Sequence, residues 1–150
     1  MKKILLIIII FALNGCGYSA VYKKINNEEI KLSIQSMSGD KYINNLLRTK
    51  LKNYSSNKSN KVYILNINSQ FIKSITSKDK TGRATNVQLI LRIEFDVLFD
   101  KKQENFIFEK NLNIKNSSNA YQQKNYENII KNNFINTIIN EFMLQLNTLK

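Results

Sequence analysis

Histidine, tryptophan and proline are absent from this 150-residue chain, and cysteine occurs once. Without imidazoles there is no His-based catalytic triad and no His-bound zinc, and a single thiol cannot close an internal disulfide. Arginine is scarce as well: Arg48, Arg83 and Arg92 are the only three, which leaves 20 lysines among the 23 basic residues. Acidic residues number 11, so the formal charge is +12. Compositional bias is one of two readings of this excess, since Lys, Asn and Ile are all abundant and doublets such as Asn26-Asn27, Asn44-Asn45 and Asn132-Asn133 recur; the other is a functional charge. Whatever its origin, so basic a surface attracts phosphates, acidic head groups or nucleic acid. The length holds one domain and leaves no room for a second.

Enzyme signals are equally thin. Glu94 and Asp96 alternate onto the exposed face of an expected strand, and Glu28-Glu29 fall outside the patterned region, so no pair of carboxylates converges for acid/base work. Thr81-Gly82-Arg83 has neither Walker spacing nor a following helix. With one soft ligand and few acids, no metal site is expected, and no catalytic residue is assigned.

The N-terminus is the most informative stretch. Lys2 and Lys3 form a positive region, and Ile4 to Leu13 make an apolar run of ten residues, against the roughly 20 that a membrane-spanning helix needs. The run is read as an export signal. It ends in Leu13-Asn14-Gly15-Cys16, which resembles a bacterial lipoprotein signal. That resemblance implies cleavage after residue 15, a thioether-linked diacylglycerol and an N-acyl chain on Cys16, and no other cofactor. The plain alternative is a secreted chain with a free thiol. Gly17 stands where an aspartate would direct inner-membrane retention, so the outer membrane is the expected address. The chain then divides into a signal peptide (1–15), a lipidated tether (16–29) and one domain (30–150).

Within that domain, Ile30, Leu32 and Ile34 alternate with polar residues as a short strand. Ser38-Gly39-Asp40 supplies a turn and an N-cap for a helix over about Lys41–Asn53, and Ser55 to Asn60 is a polar loop. A second strand over Val62–Ile75 places Tyr63, Leu65, Ile67, Phe71 and Ile75 on one face, and Thr76 to Gly82 interrupts it. Val87, Leu89, Leu91, Ile93, Phe95, Val97 and Phe99 alternate cleanly in a third strand. A loop over Asp100–Asn105 leads to a fourth strand carrying Phe106, Phe108, Leu112 and Ile114, with Lys110 on the same apolar face. From about Gln122, Tyr126, Ile129, Ile130, Phe134, Ile135, Ile138, Ile139, Phe142, Met143, Leu146 and Leu149 fit a long amphipathic helix. The expected fold is α+β: two helices on one face of a four-stranded, mainly antiparallel sheet, in the order β-α-β-β-β-α.

What remains for chemistry is a basic rim. Lys73, Lys78, Lys80 and Arg83 cluster around the junction of strands two and three, and Lys101, Lys102, Lys110 and Lys115 lie on or beside strand four. Loop charges are most often simply solvated, and the sharper reading is a site for an anionic ligand. Arg83 leads the candidates because its planar fork suits phosphate; Lys110 follows as a charge on an apolar face.

The opening Cys16-Gly17-Tyr18-Ser19-Ala20-Val21-Tyr22 resembles the Cys-Gly-Phe-x-Pro-Leu-Tyr start of LptE-type LPS-assembly lipoproteins of alphaproteobacteria. Arg83-Ala84-Thr85-Asn86-Val87-Gln88-Leu89, running on to Phe95-Asp96-Val97, resembles that family's entry into its long third strand, and Tyr121 with Tyr126 resembles its tyrosine pair before the last helix. Ala20 departs from the usual proline, and the last helix is rich in Asn and Ile where the family's is rich in Ala. The resemblance implies a non-enzymatic partner of the outer-membrane barrel LptD, lipid-anchored on the periplasmic side, that plugs the barrel and binds LPS, with no nucleic-acid partner. Arg83, Lys110, Lys73, Lys78 and Lys80 are the candidate LPS ligands. A lipoprotein pilot or adaptor for another envelope machine is the competing function.

Overall fold

The computed structural model describes residues 30–56, 59 and 61–149. The expected signal peptide, Cys16 and the tether lie outside them. Six elements follow in the expected order: β1 (Ile30–Gly39), α1 (Lys41–Lys52), β2 (Lys61–Lys78), β3 (Ala84–Phe99), β4 (Lys102–Lys115) and α2 (Ala120–Leu146). The sheet order is β1-β2-β3-β4, with β1 parallel to β2 and the two later pairs antiparallel. A parallel neighbour needs a crossover, and α1 is that crossover.

β3 explains where the core sits. Val87, Leu89, Leu91, Ile93, Phe95 and Val97 are all buried, because β2 and β4 flank the strand and the helices cover its inner face. Phe142 of α2 stacks on Phe95 with ring centroids 4.0 Å apart, and Phe106 and Phe108 meet it edge-on. A second cluster of Val87, Leu89, Ile114 and Ile130 lies toward the start of α2, and Phe71 and Phe134 pack against both. Tyr126 and Ile129, expected in the core, are exposed. The buried stripe passes from Gln123 and Ile130 to Ile135, Ile139, Met143 and Leu146, so it winds around α2 instead of holding one side.

Several boundaries differ from expectation for local reasons. β1 runs on to Gly39 through an irregularity between Ile34 and Ser36, where one residue, Gln35, has no partner on β2. The expected loop before β4 shrinks to Asp100-Lys101, both at positive φ (47° and 64°), the turn whose twist matches a hairpin. β2 and β3 extend to Lys78 and Ala84, and Ile75, at the far end of β2's inner face, is 56% exposed.

Where β1 hands over to α1, polar groups are buried among the apolar ones. The Asp40 carboxylate accepts from Ile43 N at 2.9 Å as N-cap, and Asp40 N donates to the Ser69 carbonyl at 3.0 Å. Ser69 Oγ donates to Asn44 Oδ1 at 2.7 Å, and Asn44 Nδ2 donates to the Ser38 carbonyl at 3.0 Å. Asn44 and Ser69 are both buried and both satisfied, which makes this knot a specific lock between α1 and β2.

Candidate functional site

β1 stops pairing at Ser69, so among the described residues β2 continues from Gln70 to Lys78 with no neighbour on that side. β4 follows β3 only as far as the Asn86–Lys115 pair. Past that row the β2–β3 hairpin reaches beyond the rest of the sheet and ends in Lys78, Asp79, Lys80, Thr81, Gly82 and Arg83.

Asp79 builds this tip. One of its carboxylate oxygens accepts from Thr81 Oγ1 at 2.7 Å, Thr81 N at 2.8 Å and Arg83 N at 3.0 Å, while Gly82 takes the positive φ that the turn requires. The Thr81 hydroxyl, the Arg83 N–H and further backbone donors outweigh slight desolvation and hold the Asp79 carboxyl below its ordinary range. The one acid of the tip is therefore ionised and turned inward on its own loop. Lys78, Lys80 and Arg83 are exposed, and none has an ion-pair partner among the described residues. Three of the five candidate ligands are brought together here as unneutralised cations.

The other two are placed differently. Lys73 lies opposite Leu89 and Lys110 opposite Leu91, both on the helix-covered face of the sheet. Lys73 Nζ pairs with Glu127 at 2.6 Å and Lys110 Nζ with Glu141 at 2.7 Å. Glu127 and Glu141 are the only acids of α2, and each is used to fasten the helix to one flank of the three-stranded part of the sheet. A charge on an apolar strand face requires a counter-charge in the element that covers it, and only these two were available.

Around Glu127 the fastening extends further. Gln123 accepts from Ser117 N at 2.8 Å and donates to the Glu127 carboxylate at 2.7 Å, while Lys131 lies 4.2 Å over the Phe71 ring. Burial pushes the Glu127 carboxyl up, but the Lys73 ammonium, the Gln123 amide and the Lys131 charge together outweigh it and hold the group low. A depressed folded pKa stabilises the fold above the carboxyl's unfolded value of about 4.5, and that contribution disappears as pH falls through the folded value. Because Lys73 is 40% exposed, Glu127→Gln is expected to cost under about 1 kcal/mol at pH 7. The gap from wild type should close toward pH 3 in urea denaturation, and a pH-independent gap would refute the pairing.

Residues 31–146 match the LptE family, described as lipopolysaccharide-assembly. The crystal structure of rare lipoprotein B from Shewanella oneidensis is similar with a TM-score of 0.57 at 22% identity, covering 80% of this chain and 95% of that one. A minor lipoprotein from Acinetobacter baumannii is similar with a TM-score of 0.50 at 15% identity, covering 73% of this chain and 93% of that one. At those identities the likeness is one of fold. No curated protein matches the chain by sequence. Matched from the first strand to the end of the last helix, the chain belongs to the LptE lipopolysaccharide-assembly family.

Proposed function

We propose that this LptE-family chain is an outer-membrane lipoprotein, anchored through acyl chains on Cys16 on the periplasmic side, that seats inside a barrel of the LptD kind and binds LPS in transit. The observation that carries the LPS part is the hairpin tip. Lys78, Lys80 and Arg83 stand at the end of the hairpin that reaches beyond the rest of the sheet, and the tip's own carboxylate, Asp79, is consumed by its turn. Phosphate groups of an acidic glycolipid would meet three cations with no internal competitor. Ile75, exposed on the same hairpin, adds apolar surface next to that charge, as an amphiphile requires.

A polar ladder on the uncovered face of the sheet supports the barrel part: Ser36 Oγ donates to Asn66, Ser38 Oγ to Asn68, and Asn105 Nδ2 to both Glu94 and Asp96. Val62, Ile72, Leu98 and Ile107 are exposed on the same face, so it is the ladder and not the whole face that suits the polar interior of an outer-membrane barrel.

Lys78→Ala, Lys80→Ala and Arg83→Ala combined are expected to weaken binding of purified LPS about ten-fold at 0.1 M salt, where exposed charges are screened over about 10 Å. The triple variant should also show a shallower salt dependence. Its stability should stay within about 0.5 kcal/mol, since these side chains are exposed and outside the core. Unchanged LPS affinity in the folded triple variant would refute the site. Detergent extraction and co-purification test the partner: an LptD-type barrel supports the reading, and a secretin or pilus component replaces it with the pilot or adaptor function.

A further inference from the structure

Among the described residues β1 is an edge strand, and only part of its outer edge is closed. Ser56 N donates to the Ile30 carbonyl at 2.7 Å, Leu32 N donates to Ser55 Oγ at 2.9 Å, and Ser55 Oγ reaches back to the Leu32 carbonyl at 3.4 Å. The segment after α1 thus caps the edge as far as Leu32. Backbone groups alternate sides along a strand, so Ile34 turns its N–H and C=O the same way. Met37 faces Ile67 just as Ile34 faces Leu65, and it repeats that orientation past the irregularity at Gln35. Among the described residues, no loop or side chain closes the edge at Ile34 or Met37.

Beside this open stretch lies a groove of about 420 Å³ between β1 and α1. Leu32, Ile34 and Met37 are half-buried on its strand side, Leu51 is buried on its helix side, and the exposed Arg48 and Lys52 of α1 form its rim. Among the described residues no carboxylate lines it.

We propose that this groove docks an extended, acidic segment of a partner protein, which adds to β1 as a fifth strand. The free N–H and C=O of Ile34 and Met37 supply main-chain bonds, the half-buried side chains take alternate apolar residues, and the two cations select acids at the rim. At roughly 3.3 Å per residue, the open stretch accepts about five residues. Charge argues against the two occupants nearest to hand. A second copy would bring its own Arg48 and Lys52 against these. The chain's residues 17–29 carry Lys23 and Lys24, and their acids, Glu28 and Glu29, directly precede Ile30 at the closed end of the edge.

The test uses the full mature chain in detergent and a blocked peptide of alternating valine and glutamate, with a valine–lysine peptide as control. The glutamate peptide is expected to slow amide exchange at Ile34 and Met37 saturably, and the lysine peptide to leave it unchanged. Arg48→Ala with Lys52→Ala, two exposed substitutions that spare the core, should weaken the glutamate peptide about ten-fold. No protection at millimolar peptide, equal protection by the lysine peptide, or protection confined to β4's edge would each overturn the proposal. So would slow exchange at Ile34 and Met37 before peptide is added, with the sedimentation mass then separating a second copy from the chain's own residues 17–29. Protection by phosphatidylglycerol vesicles but not by peptide would assign the groove to lipid and overturn it too.

Discussion

Gly39→Ala is expected to destabilise the domain by about 3–5 kcal/mol, a large share of the roughly 5–15 kcal/mol that holds a domain folded. Two effects add. Gly39 has φ +93°, where an L side chain is strained by about 1–3 kcal/mol. A Cβ there would also lie 1.8 Å from the Ser69 carbonyl oxygen, and that neighbour is backbone and cannot rotate away. Relief requires β1 to move off β2, which pulls Asp40 N from the same carbonyl and opens the buried Ser69–Asn44–Ser38 chain of hydrogen bonds. Each buried polar group left unpaired costs about 1–3 kcal/mol. Gly82→Ala is the control: it shares the positive φ (+82°) but meets nothing within 4 Å, so it should cost only about 1 kcal/mol. Urea denaturation of both variants checks the assignment. Equal losses would show that dihedral strain alone matters and that the close approach to Ser69 is relieved freely.

That junction marks the limit of what patterning reveals. Asp40 was legible as an N-cap because a turn-forming Ser-Gly-Asp precedes a helical period, and β3 was legible because seven apolar residues alternate without a break. Asn44 and Ser69 were not, since a polar residue on a buried face reads as an interruption until its partner is known. The far half of β1 escaped for a related reason: the unpaired Gln35 shifts the alternation, and Met37 is the only large apolar residue beyond it. The Asp100-Lys101 turn lacks the glycine that normally announces two positive φ angles.

In the candidate site the division is similar. Lys78, Lys80 and Arg83 are close in sequence, so a hairpin brings them together whatever the rest of the fold does. Lys73 and Lys110 stand 37 positions apart, and their roles depend on how α2 is rotated over the sheet. The register alone put both on the covered face; only the helix supplied the carboxylates. Because the buried stripe winds around α2, a fixed helical period misplaces Tyr126 and Ile129, and it cannot anticipate which flank Glu127 and Glu141 reach.

On the proposed lipid anchor, Cys16→Ala is expected to abolish stable attachment to the outer membrane. Among the described residues no helix is long and apolar enough to cross a membrane, so the domain itself offers no helical span to compensate. One acyl chain, at about 0.8 kcal/mol per buried CH₂, gives marginal and reversible binding, whereas two or more anchor stably. A diacylglycerol thioether together with an N-acyl chain exceeds that threshold, and alanine can carry neither. Cleavage at a lipoprotein signal also requires the modified cysteine. The variant should therefore accumulate as the unprocessed chain, held at the inner membrane by the apolar run Ile4 to Leu13, or as a soluble form, and in both cases it should leave the outer-membrane fraction of a density gradient. The wild-type chain gives the sharper readout, because intact mass of its N-terminus would report the proposed acyl chains directly. An unmodified Cys16, or a Cys16→Ala variant still sedimenting with outer membranes, would sink the lipid anchor and leave a secreted protein whose basic hairpin must find its anionic ligand without a tether.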